Sequence, residues 1–165
     1  MKHFVVKKQN NSKMCFVCGL ENDYSLKAGF YELENDEIIA IFRPLEGHQS
    51  YPGRLHGGVA ASILDETIGR AINIKHDGIW GVTVELNVQY KKPVPLDEEL
   101  KVVGRITRDT SRIFEGTGEI ILQNGEVAVT AYGKYIKLPI DKIADFGDDD
   151  WKVCHLESDP LEVEY

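Results

Sequence analysis

Residues His56 to Ile74 constrain this chain more than any other stretch. Their spacing predicts one long helix. Inside it only Asp65, Glu66, Arg70 and Asn73 are strongly polar, so the helix must be surrounded by protein on most sides rather than lie on a surface. A carboxylate in such a place is costly unless it is paired or put to use. Glu66 has Arg70 one turn on as an ion-pair partner, whereas Asp65 lies about 100° further back, next to Ala61, Ser62, Ile68, Gly69 and Ile72. Those neighbours are small or apolar and leave room for a ligand. Asp65 is therefore the candidate catalytic carboxylate, the alternative being a buried Asp bonded to a neighbouring strand.

Gly57 and Gly58 open the same helix. The first N–H groups of a helix lack intrahelical partners and carry the positive end of the macrodipole. With no side chains in the way, a ligand oxygen can approach this backbone and be polarised by it. The alternative is a loop-to-helix turn that simply needs small residues. Asp65 follows Gly57 by eight residues, about two turns and roughly 12 Å along the axis, near the same face. His56, just before the glycines, can cap the helix or act in proton transfer.

Around this helix the chain reads as strands. Residues 29–34 and 37–42 form a hairpin, and residues 43–55, rich in Gly, Pro and polar groups, lead into the helix. Lys75 to Gly78 stop it. Residues 80–90 alternate Val82, Val84, Leu86, Val88 and Tyr90 against Thr83, Glu85, Asn87 and Gln89. Residues 99–108, 111–122 and 126–138 are three further strands, the last two joined at Gln123-Asn124-Gly125. About six strands and one helix make an α+β domain over residues 28–138. Residues 1–27 read as an N-terminal arm containing Cys15 and Cys18, and residues 139–165 as an acidic tail, solvated or loosely folded over the body.

Charge and cysteine usage narrow the function classes. The net charge is −8, but residues 141–165 alone hold nine Asp or Glu against two Lys, so the body is nearly neutral and a local basic patch can still receive phosphates. No basic stripe is interleaved with stacking aromatics, which argues against nucleic acid as a partner. No apolar run approaches the roughly 20 residues needed to cross a bilayer, and residues 1–10 lack the pattern of a signal peptide. Three cysteines are too few for a disulfide framework, so reduced thiols, the cytoplasm and no membrane partner are expected. Cys15 and Cys18 with Cys154 and His155 supply four zinc-ligand types, yet a lone Cys-x-x-Cys in an arm is more often packing, and neither metal nor cofactor is expected.

The motifs carry a resemblance. His56-Gly57-Gly58 followed by Leu64-Asp65-Glu66, then residues 82–88 and Tyr90 to Leu96, resemble the acyl-CoA thioesterases of the 4-hydroxybenzoyl-CoA and phenylacetate-pathway type. Cys15-x-x-Cys18-Gly19 with Asn22 resembles a subset of them. The resemblance, over roughly residues 15–138, implies the hotdog fold, an antiparallel sheet wrapped around one long central helix. It implies hydrolysis of an acyl-CoA to free acid and coenzyme A, with coenzyme A as part of the substrate. It also implies a dimer with sites at the interface, or a tetramer of two dimers.

By that resemblance the Gly57 N–H polarises the thioester carbonyl, while Asp65 acts as general base on water or as nucleophile. Some relatives hold the water with an Asn or Gln in the preceding loop. Here Ser50 stands at that spacing with Gln49 beside it. Thr83 occupies a place where relatives carry a hydroxyl reaching the site from a second subunit. Lys91, Lys92, Arg105, Arg108 and Arg112 are the candidate contacts to coenzyme A phosphates. A hydratase or dehydratase with Gly47-His48 as its foothold, and a non-catalytic acyl-CoA-binding module, are the competing readings.

Overall fold

The computed structural model describes residues 1–165. In chain order it contains β1 (Lys2–Lys8), β2 (Asn11–Ser12), β3 (Gly29–Leu33), β4 (Ile38–Phe42), α1 (Gly57–Arg70), β5 (Ile79–Tyr90), β6 (Leu100–Asp109), β7 (Ile113–Ile121), β8 (Val127–Pro139), β9 (Trp151–Lys152) and β10 (Glu162–Glu164). Eight strands form one antiparallel sheet in the order β10-β1-β3-β4-β6-β7-β8-β5, and β2 pairs with β9 in a small second sheet. This is the α+β hotdog arrangement, a curved sheet around one helix.

The helix ends earlier than its apolar pattern suggests. After Arg70 the chain tightens into a 3-10 turn over Ala71–Ile74, and Asn73 Nδ2 donates to the Ile79 carbonyl at 2.8 Å to tie the turn to β5. Gly78, at φ 76°, then reverses the chain. Ile63, Leu64, Ile68 and Ile72 are buried and pack with Phe30, Ile38, Val102, Phe114 and Val129 from the sheet. Glycines lie beneath the helix and leave room for its side chains. A Cβ at Gly116 would stand 2.7 Å from Ile68 Cγ2, and one at Gly118 would stand 3.0 Å from Ile68 Cγ1.

The two ends of the chain differ most from the sequence reading. β1 extends the sheet beyond β3, and the acidic tail returns to lay β10 along β1, with Val163 buried against Leu33, Ile39 and Val103. The reason is pairwise. Lys8 Nζ reaches Asp159 Oδ1 at 2.6 Å and the Tyr31 hydroxyl donates to the same oxygen at 2.8 Å, so this one tail carboxylate is compensated by the arm and β3. The tail is thus built into the sheet, and the sheet has eight strands rather than about six.

Candidate active site

Asp65 lies midway along α1 at the edge of a cavity of about 300 Å³. The cavity is lined by the arm (Cys15, Cys18), by α1 (Asp65, Glu66, Gly69), by β5 and β8 (Trp80, Thr83, Tyr135) and by the tail (Ile143, Phe146, Trp151). The sequence reading anticipated the helix and Thr83. It missed the tail as a wall, and it missed Tyr135.

Two hydroxyls hold the carboxylate. Thr83 Oγ1 donates to Asp65 Oδ1 at 2.8 Å, and the Tyr135 hydroxyl stands 3.1 Å from the same oxygen and 3.0 Å from the Asp65 carbonyl. Oδ2 has no hydrogen bond from the protein. Burial pushes the Asp65 carboxyl above the usual carboxylate range, with the two hydroxyls pulling it back and the neighbouring Glu66 charge adding to the rise. Thr83 was expected to reach the site from a second subunit. Instead it meets Asp65 of its own chain, because β5 runs antiparallel to β8 and beside α1. Tyr135 was legible in principle: it points inward on β8 after Ala131 and Gly133, and a buried tyrosine needs a partner for its hydroxyl.

Gly57 lies elsewhere. With Ser50, Tyr90, Lys91 and Lys92 it lines a separate groove of about 420 Å³ at the N-terminus of α1. Tyr90 donates its hydroxyl to the Gly57 carbonyl at 2.6 Å, whereas the Gly57 N–H has no hydrogen-bond partner. His56 caps the helix: its Nδ1 accepts from the Gly58 N–H at 2.9 Å, so Gly58's donor is used within the turn. Gln49 and Ser50 are exposed in the loop, where Gln49 bridges to Leu55 and the Ser50 N–H donates to the Arg54 carbonyl at 2.9 Å.

The candidate phosphate contacts separate into two groups. Arg105 is held between Glu37 and Glu119, which leaves its guanidinium little to offer a ligand. Arg108 leans on Glu115 at 3.5 Å and Lys92 pairs with Glu126. Lys91 and Arg112 are exposed without an ion pair, and of the five candidates Lys91 and Lys92 border the Gly57 groove, together with Arg54. His48 is buried in its loop, taking the Leu45 N–H on Nδ1 at 2.9 Å and facing the Tyr24 carbonyl through Nε2 at 2.8 Å. It does not border the Asp65 cavity of its own chain, and both of its ring nitrogens are engaged within the loop. Cys154 lines another hollow, with Lys8 and Tyr31, and does not join Cys15 and Cys18.

Residues 52–129 match the thioesterase superfamily. Over that segment, a little under half of its length, the chain is similar to that superfamily. Rat acyl-coenzyme A thioesterase THEM4 is 30% identical over 152 residues, covering 85% of this chain and 63% of the rat protein. Mouse acyl-coenzyme A thioesterase 13 is 29% identical over 73 residues, covering 44% of this chain and 52% of the mouse protein. The chain thus spans less than two thirds of either relative. A solved thioesterase superfamily protein superposes with a TM-score of 0.69 at 28% identity, covering 74% of this chain and 59% of that one. No helix of the chain is long and apolar enough to cross a membrane.

Proposed function

We propose that this chain hydrolyses an acyl-CoA to the free acid and coenzyme A. The observation that carries the reading is the carboxylate held by two hydroxyls on one oxygen with the other oxygen free. Asp65 Oδ2 takes a proton from water, the resulting hydroxide attacks the thioester carbonyl carbon, and the carbon–sulfur bond breaks as the thiolate leaves and is protonated. Thr83 and Tyr135 fix the rotamer and favour the ionised form against the larger, opposing effect of burial. The relatives named acyl-coenzyme A thioesterases support the substrate class.

The carbonyl needs a donor as well. Gly57 of the same chain is about 12 Å from Asp65 along the helix, too far for both to touch one thioester group. The reading therefore takes the Gly57 N–H, with Ser50 beside it, from a second copy, so that two chains complete each site. β5 supports such a dimer: it is twelve residues long, forms an open edge of the sheet, and exposes Val82 and Val84. A tetramer of two such dimers is compatible with the same edge contact. Lys91 and Lys92, beside the Gly57 groove, are the phosphate contacts this geometry favours, and the three unpaired cysteines fit a reducing cytoplasm.

Release of free thiol from a panel of short, medium, long and aromatic acyl-CoAs tests the proposal. Turnover on at least one, lost in Asp65→Asn, is expected. Saturable binding without thiol release would instead mark a non-catalytic acyl-CoA-binding module, and water addition to an enoyl-CoA would mark a hydratase.

A further inference from the structure

On the arm side of the same cavity three metal-ligating groups meet that hydrolysis does not use. The sulfurs of Cys15 and Cys18 and a carboxylate oxygen of Glu66 all lie within 4.8 Å of one another. They come from segments 48 residues apart in sequence, so their meeting is a product of the tertiary fold. We propose that Cys15, Cys18 and Glu66 bind one divalent, thiophilic cation of the zinc class, fastening the arm to α1 one residue from Asp65.

The local structure is arranged for this. Cys15 to Gly19 form one turn closed by the Gly19 N–H on the Cys15 carbonyl at 2.8 Å, and a Cβ at Gly19 would stand 2.3 Å from that oxygen, so glycine is required after the second cysteine. The turn brings both sulfurs to the same side. Each also receives a backbone donor, Val17 N–H to Cys15 Sγ at 3.3 Å and Ser12 N–H to Cys18 Sγ at 3.4 Å, whereas the Cys15 contact, burial and the Glu66 charge hold the Cys18 thiol well above its usual range, so binding an ion must displace its proton.

Glu66 is divided between two tasks. Its Oε1 accepts from Arg70 Nε at 2.9 Å and Nη2 at 2.8 Å, while Oε2 faces Cys15 Sγ at 3.2 Å. Arg70, 2% exposed, also sets Nη2 3.2 Å from Cys18 Sγ. It therefore orients two of the three ligands from behind, as outer-sphere partners of metal sites do. Charge selects the ion. Two thiolates and a carboxylate bring three negative charges, which a divalent cation and the Arg70 guanidinium balance, whereas a monovalent soft ion would leave a buried surplus. Sulfur ligands disfavour calcium and magnesium. Cys15, Cys18 and Glu66 all line the cavity that Asp65 borders, which gives a tetrahedral ion access to solvent for a fourth ligand.

The test uses the full chain, reduced and freed of metal by chelator, titrated with cobalt(II) as a spectroscopic stand-in for zinc. Expected are a near-ultraviolet thiolate-to-cobalt band saturating at about one equivalent, release of about two protons per ion, and bleaching of the band by zinc. Cys15→Ser and Cys18→Ser should abolish the band, Cys154→Ser should keep it, and Glu66→Gln should weaken binding at least about tenfold. In the unaltered chain, zinc should shield Cys15 and Cys18 from alkylation and leave Cys154 reactive, a readout that needs no variant to fold. No band with all three thiols free, equal alkylation with and without zinc, or a Cys15–Cys18 disulfide in place of metal uptake would overturn the proposal. None of these readouts depends on thioester hydrolysis.

Discussion

Replacing Thr83 by valine isolates one hydroxyl at nearly constant shape. The bond it removes, Thr83 Oγ1 to Asp65 Oδ1 at 2.8 Å, joins a neutral donor to a charged acceptor, a class worth about 1.5–3 kcal/mol when one partner is deleted. Thr83 is exposed, so the lower end applies, and about 1.4 kcal/mol is a factor of ten in an equilibrium. The ionisation equilibrium of Asp65 should therefore move about tenfold toward the protonated form. The sign is fixed by the structure. Burial already holds this carboxyl high, the two hydroxyls oppose burial, and losing one of them moves it further up. The acid limb of kcat/KM should accordingly shift to higher pH in Thr83→Val and stay near its original place in Thr83→Ser. At the alkaline plateau, where Asp65 is ionised in both proteins, the valine variant should lose much less activity than near the limb. A free-thiol assay across pH reads all of this. An acid limb that stays put or moves to lower pH in the valine variant would refute the roles given to Asp65 and Thr83.

Asp65→Asn should lower turnover at least about 100-fold. It should also raise Tm at neutral pH, because a carboxyl whose folded-state value lies above its unfolded one destabilises the fold once pH exceeds both; the gain should vanish in acid, below the ordinary carboxylate range. Gly116→Ala, which forces a methyl to within 2.7 Å of Ile68 and of the Arg105 carbonyl, should cost about 1–3 kcal/mol in urea unfolding. Val84→Lys, which places a charge on the open edge of β5, should convert the proposed dimer to monomers in light scattering and abolish hydrolysis with it.

The helix, the six strands from β3 to β8 and the Asp65 carboxylate were legible because each leaves a local signature: an apolar run at helical spacing, a period of two in residues 82–90, an Asn-Gly turn. β1 and β10 leave weak ones. Residues 2–8 interleave Lys and His with Val and Phe, and although one neighbour is β3, the other is β10, some 160 residues away, whose own pairing is with β1 alone. The acidic tail misled for a similar reason. Most of its charges are indeed exposed, but Asp159 sits beside Lys8 and Trp151 packs against Trp80, with ring centroids 4.8 Å apart. In the candidate site, the spacing of Gly57 and Asp65 on one helix was readable. That the arm and tail wall the Asp65 cavity was not, since nothing in either segment repeats or alternates in a way that points to α1.

Arg70 extends this lesson to motion. One guanidinium reaches the Asn10 carbonyl at 2.8 Å in the arm, Glu66 on α1 and Cys18 in the turn, and lies 4.0 Å from the Phe30 ring centre and 5.0 Å from that of Trp151. None of these segments can leave without stranding a buried cation, so none can open alone. The amides of residues 9–18, 66–74 and 151–152 should accordingly exchange with solvent deuterium as one block, with a common opening free energy. The floor of the Asp65 cavity and its walls would then breathe together, and access to the carboxylate would be governed by the exposed rim rather than by a flap.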